Sequence, residues 1–262
     1  MKSFKIKTTL VIILSCISYT GFTQKVVLLD NFYNNEKSAK TGKPFHYLWE
    51  DMEMSGYSHF GTLFQQEGFK LKTLRVKPDL QNLNEATIYI IVDPETKSET
   101  ANPNYMDVKA ALTVAKWVKK GGILLMFTND SKNAELDSFN ILASKFGMKF
   151  TDLLLHPEKS EPGKPRNLNS CASVDLPDHP LFRGVSKIFL KEISAIICTN
   201  SAKPILVEDN KVIMAEAKYG KGYVFAVGDP WLYNEYIDHL MLPDDFENLK
   251  AAKNLINLLL TK

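Results

Sequence analysis

The chain has 262 residues, 45% of them apolar and 24% charged, and no long segment lacks aliphatic or aromatic side chains. That balance excludes a disordered chain and supplies core material for one large domain or two small ones. The 32 basic and 30 acidic residues form no basic stripe with interleaved aromatics, which argues against a nucleic-acid partner.

The opening stretch MKSFKIKTTLVIILSCISYTGFTQ carries Lys2, Lys5 and Lys7, then a short apolar run, then small residues at Gly21 and Thr23 before Gln24. A basic start, a short apolar middle and a small-residue exit describe a secretory signal peptide over 1–23, and the run is too short to span a bilayer. Ile13 and Ser15 before Cys16 suggest a lipid-anchor box, but bulky Leu14 fits it poorly, so periplasmic or secreted export is favoured over a Cys16 anchor. Cleavage would leave 29 basic against 30 acidic residues in a single domain over 24–262. Only Cys171 and Cys198 would remain. They are too few for a zinc ribbon, and an oxidising compartment leaves their pairing open.

From Lys25 short apolar runs alternate with amphipathic segments. KVVLLD reads as a buried strand, and SGYSHFGTLFQQEGF as a helix capped by Ser55 and ended by Gly68. KLKTLRV and ATIYIIVD follow as strands, the second apolar enough for burial on both faces. NPNYMDVKAALTVAKWVKKGG has helical spacing, with Asn104 as its cap, Asp107 three residues on, lysines in its last turn and Gly121 beyond. GILLMFTND is a further buried strand and AELDSFNILASKFG a helix, and the character changes after MKFTD. Residues 153–173 read as a long loop. KIFLKEISAIIC, KPILVED and KVIMAEAKYGKGYVFAVGD then form a β-rich run, and Asp244 opens a closing helix with Glu247 three residues later. Alternating strands and helices predict an α/β fold built on a parallel sheet, with a β-rich C-terminal elaboration.

Ligands of open parallel sheets sit beyond the carboxyl ends of the strands. Four predicted strands end in acids or amides: Asp30-Asn31, Asp93-Pro94-Glu95, Asn129-Asp130 and Asp229. Each alone is an ordinary turn or cap former; their convergence predicts a polar pocket. Past the last of these strand ends stand Trp231, Asn234, Glu235, Tyr236 and Asp238. The loop after the first strand adds His46, Trp49 and Glu50. Aromatic faces beside acids and amides suit an oligosaccharide, whose C–H faces stack on rings while its hydroxyls bond to carboxylates. Asp229, Glu235 and His46 are the catalytic candidates if the pocket cuts a glycosidic bond. His46 and His59 lie thirteen residues apart, the acids lack calcium-loop spacing and no Gly-rich phosphate loop is present, so neither metal nor cofactor is expected.

At LLDNFYNNE, FHYLWED, SGYSHFG, GGILLMFTNDSKNAE and above all YGKGYVFAVGDPWLYNEYID, the chain resembles a glutamine-amidotransferase-like domain of secreted Bacteroidetes-type proteins. Such domains accompany or are fused to unsaturated rhamnogalacturonyl hydrolases. The resemblance implies a flavodoxin-like sheet and a setting of pectin-like, uronic-acid glycans. It also implies a nucleophilic cysteine on the turn after a central strand, where this chain has Thr128, Asn129 and Asp130 instead. Amidotransferase activity is therefore not expected. Three readings follow: a carbohydrate-recognition or accessory protein of polysaccharide utilisation, a carboxylate-dependent glycan hydrolase, or a module docking a partner glycoside hydrolase.

Overall fold

The computed structural model describes residues 24–159, 163–238 and 240–262, so the signal-peptide expectation lies outside the described residues. The first strand, β1 (Val26–Asp30), crosses through helix α1 (Ser58–Gln66) to β2 (Lys70–Leu74), which pairs parallel to it. A short helix, α2 (Leu80–Leu83), leads to β3 (Ile88–Val92) on the other side of β1. Helix α3 (Val108–Lys119) then returns the chain to β4 (Ile123–Phe127), beside β3. The four-residue α2, closed by Asp79 and Asn82, has too few apolar positions to announce itself as a helix.

Helix α4 (Leu136–Ala143) leads to β5 (Met148–Leu155) at the far edge of the sheet. Among the described residues between 156 and 187 the chain forms 3-10 turns at Leu168–Cys171 and Pro180–Phe182 and one short strand, β6 (Ala172–Ser173), which pairs with β7 (Ile188–Phe189). Glu192, at φ 53°, separates β7 from β8 (Ile193–Cys198), so the run KIFLKEISAIIC is two strands rather than one. Strands β9 (Ala202–Glu208), β10 (Lys211–Tyr219) and β11 (Gly222–Val227) follow. The β10–β11 hairpin turns at Gly220, whose φ of +62° suits glycine, and carries β11 back into the centre parallel to β4. Helix α5 (Asn248–Leu260) closes the chain.

Nine strands share one sheet in the order β2-β1-β3-β4-β11-β10-β8-β5, with β9 on β10. The first five pair parallel and the rest antiparallel. This is a mixed α/β fold with a large, mostly parallel central sheet flanked by helices. The alternation along each strand separates two cores. Val27, Leu29, Ile90, Leu125 and Phe225 pack under α1 and α5, whereas Leu28, Tyr89, Ile91, Leu124 and Val224 pack under α3 and α4. Burial on both faces explains why these strands read as unbroken apolar runs.

The expected helices form, but their starts differ. Asp107, not Asn104, caps α3 by accepting the Ala110 N–H at 2.8 Å, while Asn104 donates its amide to Phe32 O. Ser55 does not cap α1, and α5 begins after Glu247, whose carboxylate instead holds Ser186. Cys171 and Cys198 are free thiols. Among the described residues no helix is long and apolar enough to cross a membrane. Leu125 lies fully buried at the middle of β4, so Leu125→Ala should cost about 2–5 kcal/mol in urea unfolding if the sheet carries the core on both faces.

Candidate functional site

The carboxyl ends of the parallel strands do converge. Asp93 N–H bonds Phe127 O at 2.8 Å, Thr128 N–H bonds Val227 O at 3.1 Å, and Asn31 N–H bonds Leu74 O at 2.7 Å. Asp30, Asp93, Asn129 and Asp229 thus stand along one edge, all buried. They differ in what holds them.

Asp30 accepts the N–H of Phe32 (3.0 Å) and Tyr33 (2.6 Å) and the Tyr89 hydroxyl (2.5 Å). Burial still pushes its carboxyl up to about 6. Asp229 accepts Trp231 N–H at 2.6 Å and Lys191 N–H at 2.7 Å, one on each oxygen. Burial raises it to about 7 against those bonds. Asn31 donates to Asn34 O, and Asp130 holds Lys132 N–H and the Asn133 amide. These four close turns.

The segment 231–238 is likewise largely internal. Tyr233 stacks between Phe60 (4.9 Å) and Phe127 (4.7 Å). Tyr236 stacks on Phe189, and Asn234 caps the turn before it by accepting Tyr236 N–H at 2.9 Å. Glu235 reaches across to the start of α1, where one oxygen accepts Ser58 N–H and Oγ, each at 2.8 Å, and His59 N–H at 3.3 Å. A carboxylate from a distant turn therefore supplies the missing cap and complements the helix dipole. The His59 ring bridges Glu235 (3.2 Å) and Asp238 (2.7 Å). Trp231 stays half-exposed, with Lys191 Nζ 4.5 Å above its ring. Trp49 is core, its indole N–H bonded to Lys72 O, and Glu50 is exposed beside α1 and β2.

A different set of carboxylates has fewer such partners, although Glu99 accepts the Thr96 hydroxyl at 3.2 Å. Asp93 leaves β3 with φ 44°, is 5% exposed, and has Oδ1 without a hydrogen bond, while the Asn129 amide faces it. Glu95, 2% exposed, has an unpartnered Oε2. Glu36 and Glu99 complete the group, and His46 Nδ1 lies 2.7 Å from Glu36. No lysine or arginine ion pair reaches these four among the described residues. Burial, then mutual repulsion with Glu99, pushes Asp93 well above the carboxylate range; burial, then Asp93 and Glu36, lifts Glu95 to about 9.

Tyr47 lies between these groups and Tyr57, whose hydroxyl bonds Pro230 O at 3.0 Å. His46 and Tyr47 both have left-handed backbones, φ 59° and 48°, as does Asp93. Such conformations cost of order 1–3 kcal/mol each and persist where the surroundings hold them. A shallow depression of about 210 Å³, lined by Asn31, Asn35, Glu36, Arg75 and Asn104, opens beside the group. A larger one, about 510 Å³, lies away from it at the amino ends of the strands.

Of the residues expected from sequence, His46, Asp93 and Asn129 meet here. Glu36, Glu95, Glu99, Tyr47 and Tyr57 join them without having been singled out. Asp93-Pro94-Glu95 was visible as an acidic strand end, but nothing in the sequence says that Glu95 turns inward.

No protein-family model and no curated protein matches the chain. Solved structures do. The mmIFT52 N-terminal domain is similar at 14% identity and TM-score 0.66, over 91% of this chain and 98% of that one. The cytoplasmic protein STM1381 from Salmonella typhimurium LT2 is similar at 15% identity and TM-score 0.56, over 90% and 98%. The exo-beta-1,4-mannosidase Op5Man5 from Opitutaceae bacterium strain TAV5 gives 13% identity and TM-score 0.52, over 90% of this chain and 36% of that one. These likenesses establish the fold alone.

Two predictions follow from the polar groups. Asp30, Asp229 and Glu95 bind protons more tightly folded than unfolded. Their stabilisation is therefore full below the unfolded values near 4 and is lost as pH rises through about 6, 7 and 9. Stability measured by denaturant unfolding should fall from pH 5 to pH 8 by several kcal/mol, the largest share from Glu95, so Glu95→Gln should flatten the slope. For Tyr233, whose buried hydroxyl has no partner, Tyr233→Phe should leave stability unchanged or raised, while Tyr233→Ala should cost about 3–5 kcal/mol.

Proposed function

We propose that this chain is an exported carbohydrate-recognition or accessory protein of polysaccharide utilisation, and that it binds saccharide at the carboxyl ends of β3 and β4. One observation carries the reading: among the described residues, Asp93 and Glu95 are buried carboxylates with unpartnered oxygens, gathered with Glu36, Glu99, Asn129 and His46 and without a lysine or arginine ion pair. Unpaired buried polar groups cost about 1–3 kcal/mol each, so a fold that keeps several together is carrying them for a ligand. With raised proton affinity they act as neutral carboxyls that both donate and accept, which matches vicinal hydroxyls. The hydroxyl-rich part of a glycan suits this edge.

The strand order β2-β1-β3-β4-β11 supports the flavodoxin-like, amidotransferase-like reading of the fold. Glutamine hydrolysis is not part of the proposal. The turn after β4 holds Thr128, buried with its hydroxyl 3.0 Å from Ser194, and the buried Cys171 donates to His156 O. Nor does catalysis by Asp229 and Glu235 fit: both Asp229 oxygens hold backbone N–H groups, and Glu235 caps α1. The fold also makes up part of a mannosidase chain, a fold-level analogy only.

Isothermal titration against neutral and mixed plant or algal oligosaccharides tests the reading. Asp93→Asn keeps the left-handed backbone, which Asn tolerates, and should weaken binding at least about tenfold while the protein stays folded and no less stable. Failure of every oligosaccharide to bind at millimolar concentration, or binding indifferent to both Asp93→Asn and Glu95→Gln, would refute it.

A further inference from the structure

The opposite edge of the sheet carries the reverse charge. Here the end of α5 meets the face of β9, β10 and β11, and the depression of about 510 Å³ opens between them. Strand register fixes its lining. Lys203 pairs across from Glu216, and Lys218 across from Tyr223; Glu216 and Lys218 are two residues apart, so all four side chains share one face. Lys221 enters from the hairpin turn, and Lys262 Nζ lies 4.4 Å above the Tyr223 ring. Lys119, in the last turn of α3, adjoins through Lys221 N–H to Lys119 O at 3.0 Å.

Glu216 is the one carboxylate in the lining, and it accepts the Tyr223 hydroxyl at 2.7 Å. Lys203, Lys218 and Lys221 are exposed, and none forms an ion pair among the described residues. Lysines near a helix C-terminus complement its dipole, which accounts for Lys119 and Lys262. It does not account for Lys203 and Lys218, which lie on strands.

We propose that this depression is a second binding site, distinct from the strand-end carboxylates, and that it takes an acidic polysaccharide segment with single carboxylates spaced along it. The lining decides the class. Tyr223 is 5% exposed and covered by Lys262, so no ring is free to stack a nucleobase. Ala217 and Tyr223 are buried, so an acidic peptide would find no apolar anchor. Among the described residues no arginine fork lines it, so a phosphate would find no bidentate partner. What remains is point cations with the hydroxyls of Ser201 and Thr261, a match for spaced carboxylates on a hydroxylated chain.

The test is fluorescence anisotropy with labelled hexagalacturonate on the full chain. Wild type should bind, and more weakly as salt rises. Lys203→Gln, Lys218→Gln and Lys221→Gln combined should weaken binding at least about tenfold with an unchanged melting curve. Lys109→Gln combined with Lys253→Gln, which removes exposed helical lysines that line neither edge, should leave it as it was. The proposal is overturned if wild type fails to bind, if the triple variant binds like wild type, or if Asp93→Asn abolishes binding, which would move the anion to the strand ends. Tighter binding of duplex DNA or a polyglutamate peptide would likewise overturn it.

Discussion

Burial of β1, β3, β4 and β11 on both faces is the constraint on which the rest of this structure depends. Side chains alternate between a core under α1 and α5 and a core under α3 and α4, so neither face can carry chemistry. Polar residues are confined to the two edges where strands begin and end. The carboxyl edge, near the chain reversal between β1 and β3, gathers loops from β1, β3, β4 and β11. The order of the strands thereby settles which distant residues become neighbours.

At that edge one residue type serves two ends. Asp30, Asp229 and Glu235 are supplied with donors, mostly backbone N–H groups, and lock the turns and the start of α1. Asp93, Glu95, Glu99 and Glu36 sit close by with few donors and crowd one another. The first set turns burial into rigidity; the second keeps unmet hydrogen-bonding capacity and raised proton affinity. Left-handed backbone at His46, Tyr47 and Asp93 adds strain in the same place. Buried carboxylates, unpartnered oxygens and left-handed backbone thus coincide at one place on the carboxyl edge.

The amino edge answers with lysines on strands and helix ends. The two edges thus offer separate chemistries, neutral hydrogen bonding at one and positive charge at the other, on a rigid slab between them. A glycan carrying both hydroxyls and carboxylates would meet different needs at each.

The sequence by itself determined the alternation of strands and helices, the buried strands, the glycine turns at Gly68, Gly147 and Gly220 and the polar strand ends, because these follow from local periodicity and backbone preference. It also placed Tyr236 and Trp49 beside the strand ends without revealing that both are core. Helix caps were legible only where cap and helix are adjacent. Asp107 lies three residues from the Ala110 N–H it caps, inside the stretch the sequence marked although it named Asn104, whereas the α1 cap comes from Glu235, 177 residues away. Tertiary structure alone decided which acids are satisfied, since Asp229 and Asp93 look alike as strand-end aspartates until the donors around each are known. It likewise brought Glu36, Glu95 and Glu99 together, and set Lys203, Lys218 and Lys221 around one depression. Those outcomes depend on strand order and register, which pair residues far apart in the chain and leave no local trace.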